Sequence, residues 1–173
     1  MAEEKKDSRK FEAFFIYLIA AAGIRFALKL VNFLPSVEPI TGLALLAAIK
    51  LGPWYGLGVG VLGYLVSNTL LMSNGPWTIM QAIGVGIPAL WVGWNYFGKN
   101  VSTSKFVWIM IYSTIFFEII VTAFYGENVG IFLDPAAFIS AAPFSLFHLV
   151  SNVIIAILLA GMLQKAEAKE AGK

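Results

Sequence analysis

The sequence predicts an all-α membrane protein, a single bundle of six transmembrane helices with the N and C termini in the cytoplasm. Three observations predict it. The composition is far more apolar than that of a soluble domain: 59% hydrophobic and 13% charged residues over 173 positions, with a mean hydropathy of +0.80. Soluble chains average roughly 45–50% apolar and about 25% charged. The apolar residues come in six runs. Finally, the basic residues outside those runs all fall on one side if every run crosses the bilayer.

The elements follow in order. Residues Met1–Lys10 are polar and form a cytoplasmic segment, 1–10. Apolar runs then cover Phe11–Leu34, Ile40–Leu51, Tyr55–Met72, Trp77–Phe97, Phe106–Phe124 and Phe138–Leu163, giving a transmembrane domain over 11–163. A charged tail covers 164–173. A span needs about 20 apolar residues at ~1.5 Å each. Five runs reach or approach that length. The second, between Pro39 and Pro53, is short and crosses by recruiting Ser36–Pro39 or by local thinning of the bilayer. With six crossings, Lys5, Lys6, Arg9, Lys10, Lys50, Lys99, Lys105, Lys165, Lys169 and Lys173 share one side, and Glu38, Glu127 and Asp134 the other. Positive residues collect on the cytoplasmic side. A re-entrant second run would move Lys50, Lys99 and Lys105 outside. A cleaved signal peptide is the competing reading of the start, but apolar sequence resumes beyond Arg25. The expected location is a prokaryotic plasma membrane, crossed many times.

Composition also narrows the chemistry. The net charge of +2 is too small to point to nucleic acid, and the chain has no cysteine, so no disulfide frame or thiol nucleophile exists. Trp54, Trp77, Trp91, Trp94 and Trp108 lie near run ends, as an aromatic belt does. Gly56, Gly60 and Gly63 fall on one side of the third helix. Ala44 and Ala48 in the second and Gly23 and Ala27 in the first follow the same small-residue spacing, which lets helices approach closely.

Charges inside a span are costly and line cavities or pair with one another. Arg25, Lys29 and Glu118 qualify. Arg25 and Lys29 sit one turn apart on one face of the first helix. They either pair with Glu118 to fix helix packing, or line an outward-facing cavity with spare positive charge for a carboxylate or phosphate. His148, the sole histidine, shares a face of the sixth helix with Ser145 and Asn152. No second histidine or acidic cluster adjoins it, so no metal or other cofactor is expected. No nucleophile motif accompanies it either, so catalysis is not expected. Ser67, Asn68, Ser73, Asn74, Gly75, Pro76, Trp77, Thr78 and Gln81 cluster around the turn between the third and fourth helices. Trp77 and Gln81, one turn apart, are suited to stacking on and bonding a flat polar ligand; the alternative is a capped turn with an interfacial tryptophan.

The stretch from Leu43 through Lys50-Leu-Gly-Pro-Trp-Tyr-Gly56 to Gly63, then Ser67-Asn68 and Asn74-Gly-Pro-Trp-Thr-Ile-Met-Gln81, resembles the substrate-binding S components of energy-coupling factor (ECF) vitamin transporters. The match covers roughly residues 40–95; elsewhere only the hydropathy pattern agrees. The resemblance implies a subunit that captures a vitamin or related micronutrient from outside. It also implies two kinds of partner, a transmembrane coupling subunit and two cytoplasmic ATPases, since the chain has no phosphate-binding loop. It places the pocket among the outer ends of helices four, five and six and the loop after helix one. Those regions offer Glu38, Trp77, Gln81, Glu118, Tyr125, His148 and Asn152, with Arg25, Lys29 and Asn74 close in sequence. Trp77 and Gln81 come through the motif and the others through position. The family's coupling face often uses Ala-x-x-x-Ala on helix one; this chain has only Ala20–Ala22 and the pair Gly23/Ala27. The Ser-Asn and Gly-Pro-Trp-Thr elements are similar to members linked to cobalamin or its precursors. A stand-alone small permease or channel, and an intramembrane enzyme built on His148, are the other classes the residues allow.

Overall fold

A computed structural model describes residues 2–31, 37–127 and 134–171, with side chains described for 7–31, 37–124 and 134–161. The described chain is all-helical: α1 Ala2–Leu30, α2 Ile40–Lys50, α3 Pro53–Leu70, α4 Pro76–Tyr96, α5 Thr103–Glu127 and α6 Pro135–Ala171. Both polar ends continue the helices beside them. α1 begins nine residues before the apolar run, and α6 extends through most of the charged tail.

Three helical stretches are long and apolar enough to cross a membrane: Asp7–Leu30, Thr103–Phe124 and Pro135–Gly161. That is fewer than the six runs counted from sequence. α3 and α4 have sufficient length, with 18 and 21 residues. Their glycines, prolines, tryptophans and the polar Ser67, Asn68 and Gln81 dilute the hydropathy. Large apolar side chains nevertheless face outward on every helix except α2, including Ile16, Ile19, Leu65, Ile87, Ile119, Leu146 and Leu158. So apolar an exterior is compatible with a membrane protein and foreign to a soluble monomer.

The short α2 forms the axis. Every residue from Ile40 to Ile49 is buried, and α2 touches α1, α3, α4, α5 and α6. Its start is tied by Glu38, whose carboxylate accepts from the Ile40 amide (2.9 Å) and the Thr41 hydroxyl (2.8 Å). Its end is broken at Gly52, where φ is +123°, a conformation open to glycine. Pro53 then opens α3, a position suited to its fixed φ.

Glycines on α3 make this packing possible. A Cβ at Gly56 would strike Ala48, one at Gly60 would strike Val85, and one at Gly63 would lie 3.1 Å from Ile40. Those neighbours also give the helix directions. Positions 48, 44 and 40 of α2 meet 56, 60 and 63 of α3, so the pair is antiparallel. Asn68 meets Thr78 while Gly93 abuts Pro53, so α3 and α4 are antiparallel. Thr114 and Glu118 of α5 meet Asn152 and Ser145 of α6, again antiparallel. The up-and-down order gathers Lys10, Lys50, Lys99 and Lys105 at one end. Lys10 lies over the Phe97 ring and Lys105 over the Tyr96 ring, and the Gly98 amide donates to Ile49 O (3.0 Å). Trp54, Trp91, Trp94 and Trp108 are exposed at this same end, where Trp54 meets Trp94 edge to face.

One small-residue expectation is corrected. A Cβ at Gly23 meets nothing within 4 Å, and Ala27 is also exposed. The Gly23/Ala27 pair therefore packs against no other helix among the described residues, whereas Ala20 is packed against the core.

Candidate functional site

The end of the bundle opposite the lysines carries a buried polar network. Arg25 of α1 is only 7% exposed. Its Nη1 donates to Ser67 Oγ (2.7 Å) and Asn68 Oδ1 (2.8 Å) of α3, and its guanidinium lies 5.0 Å from the centre of the Tyr64 ring. Asn68 passes the connection to α4, donating from Nδ2 to Thr78 Oγ1 and Gln81 Oε1, both at 2.9 Å. Adjacent α3 positions thus serve both neighbours, with Ser67 facing α1 and Asn68 bridging α1 and α4.

A second cluster joins α2, α5 and α6. His148 donates from Nδ1 to Glu118 Oε1 and from Nε2 to Glu38 Oε1 at 3.3 Å. Ser145 donates to the other Glu118 oxygen. An imidazole between two carboxylates satisfies both when both its nitrogens carry protons. The two clusters are joined by stacked rings: Tyr64 lies parallel to Phe117 at 5.8 Å, and Phe117 meets His148 edge-on at 5.2 Å. Tyr64 also lies within electrostatic range of the Glu38 carboxylate. Arg25, Glu38, Glu118 and His148, from three helices and the segment ahead of α2, therefore share one continuous network.

The partners within it differ from those expected. Glu118 is held by His148 and Ser145, and Arg25 by Ser67 and Asn68, so the Arg25–Glu118 pair, one of the alternatives raised from sequence, does not form. Lys29, half-buried one turn beyond, lies within electrostatic range of Arg25 and Glu38. Trp77 folds over its own turn: its indole N–H donates to Ser73 O (2.9 Å), and a Cβ on Gly75 would strike its ring. That geometry locks the turn, the alternative raised from sequence. Asn74 is exposed and donates to Thr69 Oγ1 (2.7 Å). Gln81 is half-buried in the network. Asn152 is fully buried and donates to Thr114 Oγ1 (2.9 Å), while its Oδ1 has no hydrogen-bond partner. The Tyr125 side chain lies outside the described residues, as does most of the loop after α1.

The open volume beside the network is a groove of about 360 Å³ between α5 and α6, with Glu118, Ser145 and Thr114 on its walls. It differs from the expected recess among helices one, four, five and six, because α1 contacts α2 and α3 but neither α5 nor α6 among the described residues. A larger cavity, about 540 Å³, lies between α4 and α5 and is lined by Trp91, Tyr96, Lys105 and Trp108. None of the predicted site residues lines it.

Sequence reasoning missed Tyr64, Thr41 and Phe117. Tyr64 had a signal, since it follows Gly60 on the glycine face and precedes Ser67 and Asn68 by one turn. Phe117 had none among so many phenylalanines. Comparison with protein-family models, curated proteins and solved structures finds no match to this chain.

Proposed function

We propose that the chain is the membrane-embedded, substrate-binding S component of an ECF-type importer, crossing the membrane six times with both termini in the cytoplasm. In this reading it captures a vitamin or related micronutrient, with cobalamin or a precursor as the first candidate, from the outer face. It carries out no covalent chemistry. A transmembrane coupling subunit and two cytoplasmic ATPases supply the energy and drive release.

One observation carries the reading. A connected ionic and amide network fills one end of an otherwise apolar bundle, and Lys10, Lys50, Lys99 and Lys105 gather at the other. Ionisable groups within membrane-spanning segments are costly, and they line cavities or pathways or pair with one another. The resemblance over residues 40–95 supplies the family. The exposed Gly23/Ala27 face of α1 supports a docking role, since small residues left uncovered within the chain suit close approach by a partner helix.

The test is mass spectrometry of small molecules that co-purify with the protein, paired with co-expression of a coupling subunit and its ATPases. A vitamin-like compound released on denaturation, together with capture of the coupling subunit through α1, is the expected result. Solute uptake into liposomes by the chain alone would favour a stand-alone permease or channel. A turnover abolished by His148→Ala would favour an intramembrane enzyme.

A further inference from the structure

The α4–α5 cavity lies apart from the buried network, toward the opposite end of the bundle. Its volume of about 540 Å³ falls within the range of small-molecule pockets. Pro88 of α4 and Ser113 of α5, both buried, form its floor, and their short side chains leave the space open. Its rims are aromatic. On α4, Trp91 meets Tyr96 edge to face at 6.0 Å; on α5, Trp108 stacks on Tyr112 at 5.9 Å. Trp91, Trp108 and Tyr112 are exposed on the outside of the bundle, so the cavity is a groove that opens sideways. Along α5 its lining runs from Lys105 to Phe116, about 16 Å at the helical rise. The space is long, largely apolar and parallel to the helices.

Lys105 is the charged residue of its lining. It stands at one end of the groove with its ammonium 4.8 Å from the centre of the Tyr96 ring, a contact that positions the charge without neutralising it. The surrounding charge is positive. No Asp or Glu occurs between Glu38 and Glu118, while Lys50, Lys99 and Lys105 all lie in that stretch. α2, α3 and α4, and α5 ahead of Glu118, therefore bring no carboxylate to this end. α1 carries Asp7 and Glu12 beside Arg9 and Lys10, but it packs against neither α4 nor α5 among the described residues; the charge it brings to the end of α4 is Lys10, over the Phe97 ring. From Pro135 to Gly161, α6 holds no Asp, Glu, Lys or Arg, and His148 is held in the network by Glu118 and Glu38.

We propose that the α4–α5 groove binds one anionic phospholipid of the adjoining leaflet, with its phosphate against Lys105 and an acyl chain laid between the Trp91–Tyr96 and Trp108–Tyr112 pairs. Basic pockets between membrane helices take acidic headgroups, and tryptophan and tyrosine gather where headgroups meet hydrocarbon. The two ends of the groove divide the recognition. The lysine ammonium, with three donors and no acceptor, selects the charge, and the apolar trough above Pro88 and Ser113 selects the chain. The side opening gives a lipid direct access from the bilayer. This goes beyond the transport reading: it needs the membrane setting but neither the vitamin-like substrate nor the coupling partners, so the two fail separately.

The test is native mass spectrometry of the detergent-solubilised protein titrated with dioleoyl phosphatidylglycerol or dioleoyl phosphatidylcholine, which share their chains and differ in net charge. The anionic lipid is expected to bind about fivefold more tightly, the scale of one lysine at an acidic headgroup. Lys105→Gln is expected to erase that preference and Lys105→Arg to keep it. Lys99→Gln removes a cation of the same end that does not line the groove, and is expected to leave the preference unchanged. Ile87→Trp narrows the groove from its exposed rim and is expected to weaken the binding of both lipids. Equal binding of the two lipids, an equal loss of preference in Lys99→Gln and Lys105→Gln, or unaltered binding in Ile87→Trp overturns the site. So does competition by glycerol 1-phosphate at the concentration of the lipid, which would show that the phosphate binds without a chain.

Discussion

Arg25 shows how one buried cation organises three helices. Its guanidinium bonds two side chains of α3, and one of them, Asn68, bonds two more on α4. Arg25→Met removes the charge and leaves buried acceptors without donors. Each hydrogen bond to a charged group is worth about 1.5–3 kcal/mol, and a stranded acceptor adds its desolvation cost. We expect a loss of about 3 kcal/mol in unfolding free energy, measured by denaturant titration in detergent; a change below about 0.5 kcal/mol, the level of an ordinary surface substitution, would show that the network does not support the fold. Trp77 makes the opposite kind of prediction. Because its indole N–H is spent on Ser73, Trp77→Ala is expected to lower stability by about 1 kcal/mol through a looser α3–α4 turn. Reduced ligand affinity with an unchanged melting temperature would instead restore the stacking role expected from sequence.

At the scale of the element, α3 is defined by what its glycines let in. Gly56 and Gly60 carry α2 and α4 at distances a side chain forbids, and Gly63 brings Ile40 to within 3.1 Å of where a Cβ would stand. Gly60→Leu is expected to cost about 3 kcal/mol or more, since overpacking a tight contact costs typically 1–3 kcal/mol and Val85 stands directly in the way. Gly23→Ala is the control on α1. With nothing within 4 Å of its Cβ and a better helix former in place, it is expected to be neutral or to stabilise by up to about 1 kcal/mol. Thermal unfolding of the two variants side by side checks both. If Gly60→Leu leaves the melting temperature unchanged, the α2–α3–α4 packing described here is wrong.

For the whole molecule, the separation of lysines from the polar network gives a topology prediction that the absence of cysteine makes direct. Single cysteines at Asn74→Cys and Lys99→Cys sit at exposed positions on opposite ends. In intact cells a membrane-impermeant maleimide is expected to label the first, and the second only after permeabilisation. The reverse pattern, or labelling of both without permeabilisation, would overturn the six-span orientation.

Much of this was legible in the residues. Apolar runs gave α2 to α5 to within about three residues, because burial periodicity and turn breakers such as Gly52-Pro53 and Gly75-Pro76 act locally, whereas α1 and α6 continue into the polar ends, where no hydropathy change marks a helix boundary. Small-residue spacing marked Gly56, Gly60, Gly63, Ala44 and Ala48 as a contact face. Arg25, Lys29 and Glu118 were recognisable as charges inside apolar runs that need partners or a cavity, because their desolvation cost is a property of the side chain wherever it is placed. Partner choice was not legible. Whether Glu118 meets Arg25 or His148 depends on which helices stand side by side, and the central position of α2 separates α1 from α5 and α6. Nor could the sequence say which charge faces open volume, because that depends on how α5 and α6 pack against each other. The chain by itself determined where helices form and which groups must find partners; the tertiary arrangement alone decided the partners, since side-chain contacts between distant segments exist only after the helices have packed.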